Sequence, residues 1–407
     1  MLDPTTEPTI WFVNSYFYPD HAATSQILSD IAFHLADSGQ KVEVVANRRS
    51  YDGNAAYAPS ETIQGVKVTR LPSLGPSGRS MAARLGRYLG MYLGASWHIL
   101  TRVRPGDIVV CKTDPPLLSI PLAVVAKLRS AKLVNWLQDL YPEVAQSLGM
   151  GLPGPVRAML TGLRDWSLNL AAANVAIGEC MAQLLRDRGI DENKIVILNN
   201  FVNDEHICAL SGPNPLREQW QLQGKFVLGY SGNLGRAHDI DTFIDMADRL
   251  RDRDDIVFLF IGGGHFVDQL RERLSAQNIT NVRFEGYQPR EKLNLSLALP
   301  DAHWVSLLPE MEGLIVPSKI YGIMAAGRPM IAVCNPKGEM ARMIDQAEIG
   351  IQVDPGNGAA FADAVTRLAD NLADCQRLGR NARVELDAKY SKARIFQSWQ
   401  DLLHKLT

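Results

Sequence analysis

Residues 308–333 read LPEMEGLIVPSKIYGIMAAGRPMIAV, and this order of loop, helix and strand decides how the chain folds. Segment 320–326 has the composition of a buried helix, Gly327 ends it, and Pro329 opens a β-rich strand. The strand-like segment AHWVSLLP comes directly before it. The stretch therefore predicts a strand–helix–strand unit, and such units build parallel sheets.

The same stretch predicts an anion-binding site. Backbone N–H groups at the start of a helix are unpaired and carry partial positive charge. Lys319 adds a full positive charge at that point, after the acidic-glycine loop of Glu312 and Gly313. We therefore expect phosphate groups to bind at this turn.

The composition is that of an ordinary soluble globular protein. The 407 residues are 46% hydrophobic and 21% charged with a net charge of −2, which predicts two domains and no nucleic-acid partner. The five scattered cysteines lack metal or redox spacing and indicate a reducing cytoplasm. We find no signal peptide and no apolar run of about 18 residues, so we expect a cytoplasmic protein without a membrane span.

The first half of the chain opens with strand, loop, helix and strand. IWFVNSYFYPD predicts a buried strand that runs into a loop, residues 21–40 an amphipathic helix, and KVEVVAN the next strand. Open α/β sheets bind ligands at the carboxyl ends of their strands. The loop of residues 18–25 is therefore a candidate site, and a plain connection is the alternative.

A second candidate site follows the predicted strand of residues 132–138. Asp139, Tyr141 and Glu143 come directly after it. Two carboxyl groups and a phenol after a buried strand can form a reaction centre. The alternative is a helix N-terminus that carries acidic residues for its own stability.

Residues 62–106 contain no acidic residue and hold seven lysines and arginines among aliphatic and aromatic side chains. A basic helix of this composition fits a membrane surface or a lipid-acceptor face. The alternative is a core-packed helix with a solvated basic side. A polar segment with two prolines, residues 204–224, predicts the linker to the second half.

The second half repeats strand, glycine loop and helix in GYSGNLGRAHD. Its glycines let backbone N–H groups approach a diphosphate, and Arg236 can clamp that group. The loop lacks the G-x-G-x-x-G fingerprint, which argues against a nicotinamide cofactor. His238 is either structural or a phosphate ligand, and Tyr287 either stacks on a nucleobase or is buried.

The sequence resembles glycosyltransferase family 4, the retaining group of GT-B enzymes, and above all the bacterial subgroup of capsule, colanic-acid and O-antigen assembly. The matching segments run nearly end to end: YFYPDHAATSQ, LADSGQKVEVVAN, WLQDLYPE, VILNNFVN, GYSGNLGRAHD, FLFIGGGHFVDQL, VRFEGYQPREKL, EGLIVPSKIYGIMAAGRPMIAV and LGRNARVELDAKYS.

The resemblance implies an α/β fold of two Rossmann-like domains whose parallel sheets face a central cleft. Residues 1–203 would bind the acceptor, a C-terminal helix at about 392–407 would pack back on them, and residues 204–391 would bind a nucleotide sugar. The activity would be that of a hexosyltransferase without metal or other cofactor. A UDP- or GDP-sugar would be the donor, and a glycan or polyprenyl-diphosphate-linked molecule the acceptor, at the inner face of the membrane.

The resemblance also implies site residues. The catalytic set would be Asp139, Arg236, Lys319 and Glu312. The donor-binding set would be Gly232, Asn233, His238, Gly263, Tyr287, Gln288, Gly313, Leu314, Ile315, Ser318 and Glu339. The acceptor side would take Asp20, His21, Ala23, Thr24 and Glu143.

Two positions depart from the family pattern. The second glutamate of E-x7-E, which grips the ribose, corresponds to Gly322, and Glu339 is the candidate replacement. The glycine pair of the first loop is Ala22 and Ala23 in this chain. A nucleotide-sugar epimerase of GT-B fold and a non-catalytic GT-B subunit are the alternative functions.

Overall fold

The computed structural model describes residues 7–20, 22–51, 53, 55–74, 81–203, 207–210 and 212–407. The chain forms two compact units. Unit 1 runs to Asn199 and takes in Ile395–Thr407, and unit 2 is Asn200–Arg394. A mainly parallel sheet with flanking helices is the centre of each unit, which confirms the predicted α/β class.

The described strands are β1 Ile10–Val13, β2 Val42–Asn47, β3 Ser60–Ile63, β4 Val66–Leu71, β5 Ile108–Lys112, β6 Lys132–Trp136, β7 Ala173–Ala176, β8 Ile195–Ile197, β9 Phe226–Asn233, β10 Ile256–Gly263, β11 Val282–Glu285, β12 Ala302–Ser306, β13 Met330–Val333 and β14 Gly350–Val353.

The described α-helices are α1 Ala23–Asp37, α2 Met81–Arg102, α3 Ser119–Leu128, α4 Glu143–Ser147, α5 Gly154–Leu170, α6 Glu179–Asp187, α7 Pro215–Gln219, α8 Asp241–Arg249, α9 Val267–Ala276, α10 Leu293–Leu297, α11 Lys319–Ala325, α12 Glu339–Ala347, α13 Gly358–Asp370, α14 Leu372–Glu385 and α15 Lys392–Leu406.

The strand order locates a switch point in each sheet. The sheet of unit 1 has the order β3-β4-β2-β1-β5-β6-β7-β8, and that of unit 2 the order β11-β10-β9-β12-β13-β14. All pairs are parallel except β3 with β4. The order reverses between β1 and β5 in unit 1 and between β9 and β12 in unit 2. Open α/β sheets bind ligands outside the carboxyl ends of the strands at such points.

Large aromatic side chains fill the core of each unit. In unit 1 the ring of Trp399 in α15 lies 4.5 Å from that of Trp136 and 6.4 Å from that of Phe12. In unit 2 the ring of Trp304 lies 4.7 Å from that of Phe243. These buried rings hold the helices against the sheets and so fix where the strand ends lie.

The structure corrects two details of the sequence interpretation. Part of the acid-free stretch 62–106 belongs to β3 and β4, so Lys67 and Arg70 lie in the sheet and pair with Glu43 and Glu61 at 3.0 and 2.9 Å. The composition of residues 359–385 predicts one continuous helix near the end of the chain, but this segment forms two, α13 and α14. It breaks at Asn371, whose side chain accepts the hydrogen bond of a backbone N–H in α14.

The length and apolar character of the helices decide whether the chain could span a membrane. Within the described residues, no helix combines the length and the apolar character needed to cross a bilayer.

Candidate active site

The carboxyl ends of β9 and β10 approach each other backbone to backbone. Gly232 pairs with Gly262, and the φ angles of the two residues are +117° and +129°. A Cβ atom on Gly262 would overlap the carbonyl oxygen of Gly232. Glycine is needed here because a side chain would be strained and would push the strands apart. The prediction that all glycines of GYSGNLGRAHD form the loop is wrong for Gly229. This residue faces Pro300 inside the unit and is not part of the loop.

The ammonium group of Lys319 lies beside this glycine pair. Its Nζ donates to the hydroxyl of Tyr230, to the carbonyl oxygen of Asn233 at 3.3 Å and to Nε2 of His238 at 3.2 Å. It also lies 4.2 Å from the centre of the Tyr230 ring. All of these partners are neutral. Among the described residues no carboxylate forms an ion pair with Lys319, so this part of the chain supplies no counter-ion for its positive charge.

His238 has a structural part in this arrangement. Its Nδ1 donates to the carbonyl oxygen of Ser306 at 2.7 Å, which leaves Nε2 as the acceptor for Lys319. Burial and the nearby lysine lower the pKa of His238 to about 3, so the ring is neutral near pH 7. The residue was predicted as either structural or a phosphate ligand. The geometry gives it the task of orienting Lys319.

Burial also changes the titration of the lysine. It lowers the pKa of Lys319 to about 7, because an ammonium without a counter-ion is costly away from water. A bound anion would reverse this effect by supplying the missing charge. The site is therefore electrostatically incomplete without an anion.

Arg236 follows the same strand end in the loop before α8. It is exposed, and its guanidinium has no hydrogen-bond or ion-pair partner among the described residues. The side chain of Asn233 is exposed too, while the carbonyl oxygen of that residue accepts hydrogen bonds from Tyr230 at 2.9 Å and from Lys319. A second cation is thus available beside the glycine loop.

An aromatic side chain lies over the end of β10. The ring of Tyr287 is 66% exposed, and a Cβ atom on Gly263 would lie 3.0 Å from it. Gln288 donates to the carbonyl oxygen of Gly286 at 3.0 Å and so holds the turn that carries the tyrosine. The exposed ring face is a platform on which a planar base can stack.

A cavity of about 100 Å³ adjoins this platform. Its wall combines the strand ends of β9, β10 and β11 with the start of α9. The lining residues are Tyr230, Gly232, Leu234, Phe260, Ile261, Gly262, Gly263, Val267, Arg271, Phe284, Glu285 and Gly286. The glycine loop and the ring of Tyr230 thus border a space at the strand ends.

Glu312 of the predicted catalytic set and Glu339 of the predicted donor-binding set meet at the start of α12. Oε1 of Glu312 accepts the backbone N–H of Glu339 at 2.8 Å, and the carboxylate packs against Gly338. A carboxylate at a helix N-terminus is favoured by the helix dipole. Glu312 therefore caps α12, which also places it in a fixed orientation. Glu339 itself is buried.

The remaining residues of the 308–333 stretch have mixed exposure. Leu314 is buried, Ile315 is half-buried, and Ser318 is exposed directly before Lys319. Gly313 has a φ of +73°, which turns the chain after the cap. A Cβ atom on Gly322 would contact Leu297 at 3.4 Å. A side chain at the position of the family's second glutamate would therefore point into the interior of unit 2.

Unit 1 contains a buried ionisable cluster at its own switch point. Lys112, the last residue of β5, is almost fully buried, donates to the carbonyl oxygen of Thr24 at 3.0 Å and lies 3.9 Å from the centre of the Trp136 ring. Asp114 follows it in the chain, and Asp139 follows the neighbouring strand β6. Lys112 interacts electrostatically with both carboxyl groups.

Burial shifts the titration of every member of this cluster. It raises the pKa of Asp139 to about 6, with Asp114 raising it further and Lys112 opposing the shift. The pKa of Asp114 also rises to about 6, mainly by burial. Burial lowers the pKa of Lys112 to about 7. Groups that titrate near neutral pH at a strand-end site are candidates for reaction chemistry.

The loop that was predicted for the acceptor side holds this cluster in place. The carboxylate of Asp20 accepts backbone N–H groups from Ala22 at 3.0 Å and from Tyr51 at 2.6 Å, so it fixes the loop. Ala23 begins α1, and Thr24 offers its carbonyl oxygen to Lys112. His21, also predicted here, lies outside the described residues.

Glu143 has a different environment from Asp139. Its two carboxylate oxygens accept hydrogen bonds from Arg164 at 3.0 and 3.1 Å, and Arg188 pairs with it as well. Arg164 is buried, so the pair connects α4 to α5 inside unit 1. This network accounts for Glu143 as a structural residue, and we leave it out of the site.

The sequence interpretation missed Tyr230 and Lys112. Tyr230 lies inside the quoted segment GYSGNLGR, but a tyrosine within a strand gives no sign of its partner. Lys112 ends the run DIVVCK, and a lysine that closes an apolar strand is the only signal that could have identified it. For metals, the described residues contain no group of three or more His, Cys, Asp or Glu side chains placed to hold an ion.

Comparison with known proteins identifies the family of the chain. The family description "Glycosyl transferases group 1" matches residues 214–385, and "Glycosyl transferase 4-like domain" matches residues 24–200. WbjE of Pseudomonas aeruginosa, named as a glycosyltransferase, is 29% identical over 298 residues, which are 72% of this chain and 73% of WbjE. WcaI of Escherichia coli, named as a colanic acid biosynthesis glycosyl transferase, is 24% identical over 86% of this chain and 89% of its own.

Solved structures show the same fold over the whole length. The complex of HepE from Anabaena with UDP superposes with a TM-score of 0.75 at 14% identity, and the match covers 98% of this chain and 100% of HepE. The fold is that of the GT-B glycosyltransferases, and the family descriptions that match the two halves of the chain assign it to this enzyme class, which uses nucleotide sugars. The chain belongs to the group 1 glycosyltransferases, which form family 4.

Proposed function

We propose that the protein is a retaining glycosyltransferase of bacterial surface or exopolysaccharide biosynthesis. It would move a sugar from a UDP- or GDP-linked donor to a glycan or to a polyprenyl-diphosphate-linked acceptor. WcaI supports the pathway class, because it is named for colanic acid biosynthesis. The observation that carries the proposal is the ammonium of Lys319, held by neutral partners beside the Gly232–Gly262 strand ends.

The leaving group explains why such a cation is needed. Glycosyl transfer places negative charge on the departing nucleotide diphosphate while positive charge develops at the anomeric carbon. An ammonium that is already oriented stabilises that charge without reorganisation during the reaction. No carboxylate in the described part of unit 2 pairs with Lys319, so the diphosphate would complete the charge balance, and exposed Arg236 would supply a second cation.

The rest of unit 2 fits the other parts of a nucleotide sugar. The exposed ring of Tyr287 would stack on the base. The backbone around Gly232 and Asn233 would follow the diphosphate. Glu312 and the segment that begins at Gly313 would meet the sugar hydroxyls. A UDP donor has the support of HepE, which has been solved with UDP and with UDP-glucose.

Unit 1 would supply the acceptor side and the groups near the reacting sugar. Asp139, with its raised pKa, would orient the sugar or stabilise positive charge, and Lys112 would hold the carboxyl group and the α1 loop in place. Retention follows the family. It would proceed by attack from the face of the departing phosphate, with that phosphate near the acceptor proton.

The experiment combines a donor screen with product analysis. A thermal-shift panel of UDP-, GDP- and dTDP-sugars identifies the donor, because a ligand at 100 times its Kd adds about 2.7 kcal/mol of stability. NMR of the product made with that donor then reports the anomeric configuration. A retained configuration is expected, and an inverted one would refute the mechanism. Incubation with the donor alone tests the epimerase alternative, which would form an epimer without any acceptor.

A further inference from the structure

Helix α2 exposes a line of large apolar side chains. Leu85, Leu89, Leu93 and Trp97 recur at every fourth residue, and each is more than half exposed. The line is about 18 Å long, at 1.5 Å of rise per residue. The opposite side of the helix faces the core, and its fully buried residues are Ala83, Met91, Ala95 and Ile99. The core therefore accounts for one apolar face of α2, and the described residues of unit 1 do not cover the other.

The neighbouring helices continue this apolar line. Helix α2 packs against α3, and α3 packs against α5. All three follow crossovers that move in the same direction along the sheet, so they lie in one layer on one face. We call the exposed apolar side chains of this layer the three-helix surface: Leu85, Leu89, Leu93, Trp97, Val124, Leu128, Val156, Met159, Leu163, Trp166 and Leu170. Apolar side chains in one layer of neighbouring helices mark an interaction site, unlike single exposed leucines.

The same helices carry positive charge. Helix α2 contains Arg84, Arg87 and Arg102 and no acidic residue, and α3 contains Lys127 and no acidic residue. Helix α5 adds Arg157, and its one acid, Asp165, pairs with arginines. The surface thus combines leucine and tryptophan side chains with a net excess of cations.

This combination favours an anionic lipid bilayer over a second copy of the chain. A symmetric dimer through this layer would bring the cations of one copy against those of the other, which is unfavourable. Lipid phosphates complement the charge, and tryptophan is favoured at the boundary between head groups and acyl chains. We propose that the three-helix surface binds the surface of an anionic membrane without crossing it.

The opposite side of α2 connects this surface to the switch point of unit 1. The hydroxyl of Tyr92 donates to the carbonyl oxygen of Pro116, and burial, together with the charge of Asp114, raises the pKa of Tyr88. The apolar surface and the ionisable cluster therefore lie on opposite sides of α2, one helix width apart. If the proposed function holds, a lipid-linked acceptor could leave its chain in the bilayer while its head group reaches unit 1.

Vesicle flotation tests the membrane proposal with the full chain. The protein is mixed with phosphatidylcholine vesicles, with or without phosphatidylglycerol. We expect at least about ten-fold stronger binding to the anionic vesicles and a decrease with added salt. The triple variant Leu89→Gln, Leu93→Gln, Trp97→Gln should lose at least about ten-fold of that binding. The matched control, Leu372→Gln with Val384→Gln, changes exposed apolar residues of unit 2 and should bind like wild type.

A variant with fewer positive charges separates the electrostatic contribution to vesicle binding from the apolar one. Arg102→Gln with Arg157→Gln should weaken anionic binding and flatten its salt dependence while leaving the apolar line intact. Circular dichroism checks that each variant folds, and quenching of wild-type tryptophan fluorescence by brominated lipid needs no variant at all.

Three results would overturn the proposal. They are equal vesicle binding by the triple variant and its control, absence of quenching by brominated lipid, and a wild-type dimer in sedimentation velocity that the triple variant abolishes. UDP-glucose binding in solution, measured by calorimetry without lipid, should be unchanged in the triple variant. If the wild type bound none of the UDP- and GDP-sugars, the proposed function would be refuted and the membrane proposal would still stand.

Discussion

Nε2 of His238 accepts a hydrogen bond from Nζ of Lys319 at 3.2 Å, across 81 residues of sequence. Because Nδ1 of the same ring donates to Ser306, the histidine can only act as an acceptor toward the lysine. Replacing His238 with Phe removes the acceptor, and we expect kcat to fall about ten-fold, the typical effect of losing a hydrogen bond to a charged group.

A conservative variant provides the control for this prediction. His238→Gln keeps an oxygen acceptor and should recover part of the loss, whereas His404→Gln, which changes an exposed residue of α15, should leave kcat unchanged. Steady-state kinetics with saturating donor measure the three variants. A Phe variant as fast as wild type would show that the histidine does not position the lysine.

Lys319→Met and Arg236→Ala test the two cations directly. Each should lower kcat by about 100-fold or more, because a preorganised charge stabiliser is worth roughly 3 to 4 kcal/mol. Lys292→Met is the matched control, since this lysine is exposed at the start of α10 and outside the site. Turnover near the wild-type rate in both site variants would contradict the assignment of the leaving-group site.

Donor binding should be coupled to proton uptake at Lys319. Its pKa of about 7 leaves the side chain mostly neutral at pH 8, and a bound diphosphate raises the pKa again. Binding of UDP-glucose, whose diphosphate does not titrate in this range, should therefore take up close to one proton at pH 8. Affinity should decrease as the pH rises above 7.

Calorimetry in buffers of different ionisation enthalpy measures this proton uptake. Lys319→Met should show none, while Lys292→Met should behave like wild type. If the wild type binds UDP-glucose with no proton uptake at pH 8, the lysine is already charged in the free protein and the coupling is absent.

Asp139→Asn should stabilise the protein at high pH while it impairs turnover. The folded state raises the pKa of Asp139 from 3.8 to about 6, so the folded protein binds this proton more tightly than the unfolded chain. Ionisation of this carboxyl group therefore lowers the stability of the folded protein. The full loss of stability is present above pH 6, and none of it is present below about pH 3.8. We expect a gain of about 1 kcal/mol at pH 8, or roughly 2–4 °C in Tm.

The pH dependence of that gain separates electrostatics from packing. It should be present at pH 8 and smaller at pH 5, where the folded carboxyl group is largely protonated. Lys112 adds to the contrast, because its pKa of about 7 makes it mostly neutral at pH 8 and a weaker partner there. An equal change in Tm at both pH values would attribute the effect to packing.

Gly262→Ala should destabilise unit 2 by about 1–3 kcal/mol. The new Cβ would overlap the carbonyl oxygen of Gly232 at a φ of +129°, which is strained for any residue with a side chain. Gly286→Ala is the control, because its Cβ would meet open space. Denaturant unfolding compares the two variants, and equal midpoints would mean that the strand ends can separate without cost.

Much of the architecture could be predicted from local patterns. The helix that starts at Lys319, its end at Gly327 and the strand Met330–Val333 all follow from apolar periodicity and from the conformational limits of glycine and proline. The break at Asn371 was not predicted. A polar residue within a helical pattern can lie inside a helix or cap one, and only the backbone conformation distinguishes the two.

The site was predictable only in part. Lys319 and the glycine loop were found because an anion site needs these residue types. The exposed candidates Arg236 and Tyr287 keep their predicted roles as proposals. Glu143 was given an acceptor role, but the structure places it between Arg164 and Arg188, and sequence alone cannot tell a site carboxylate from an ion-paired one.

The amino-acid sequence by itself determined the order of strands and helices, the doubling of the α/β pattern and the placement of Lys319 at the first turn of its helix. Only the tertiary structure decided that this lysine meets Tyr230 and His238, which are 89 and 81 residues away, and that Lys112 reaches the carbonyl oxygen of Thr24 across 88 residues. Local conformation depends on neighbours within one or two turns of the chain, whereas the contacts that hold a buried ammonium form only when the sheets bring distant strand ends together.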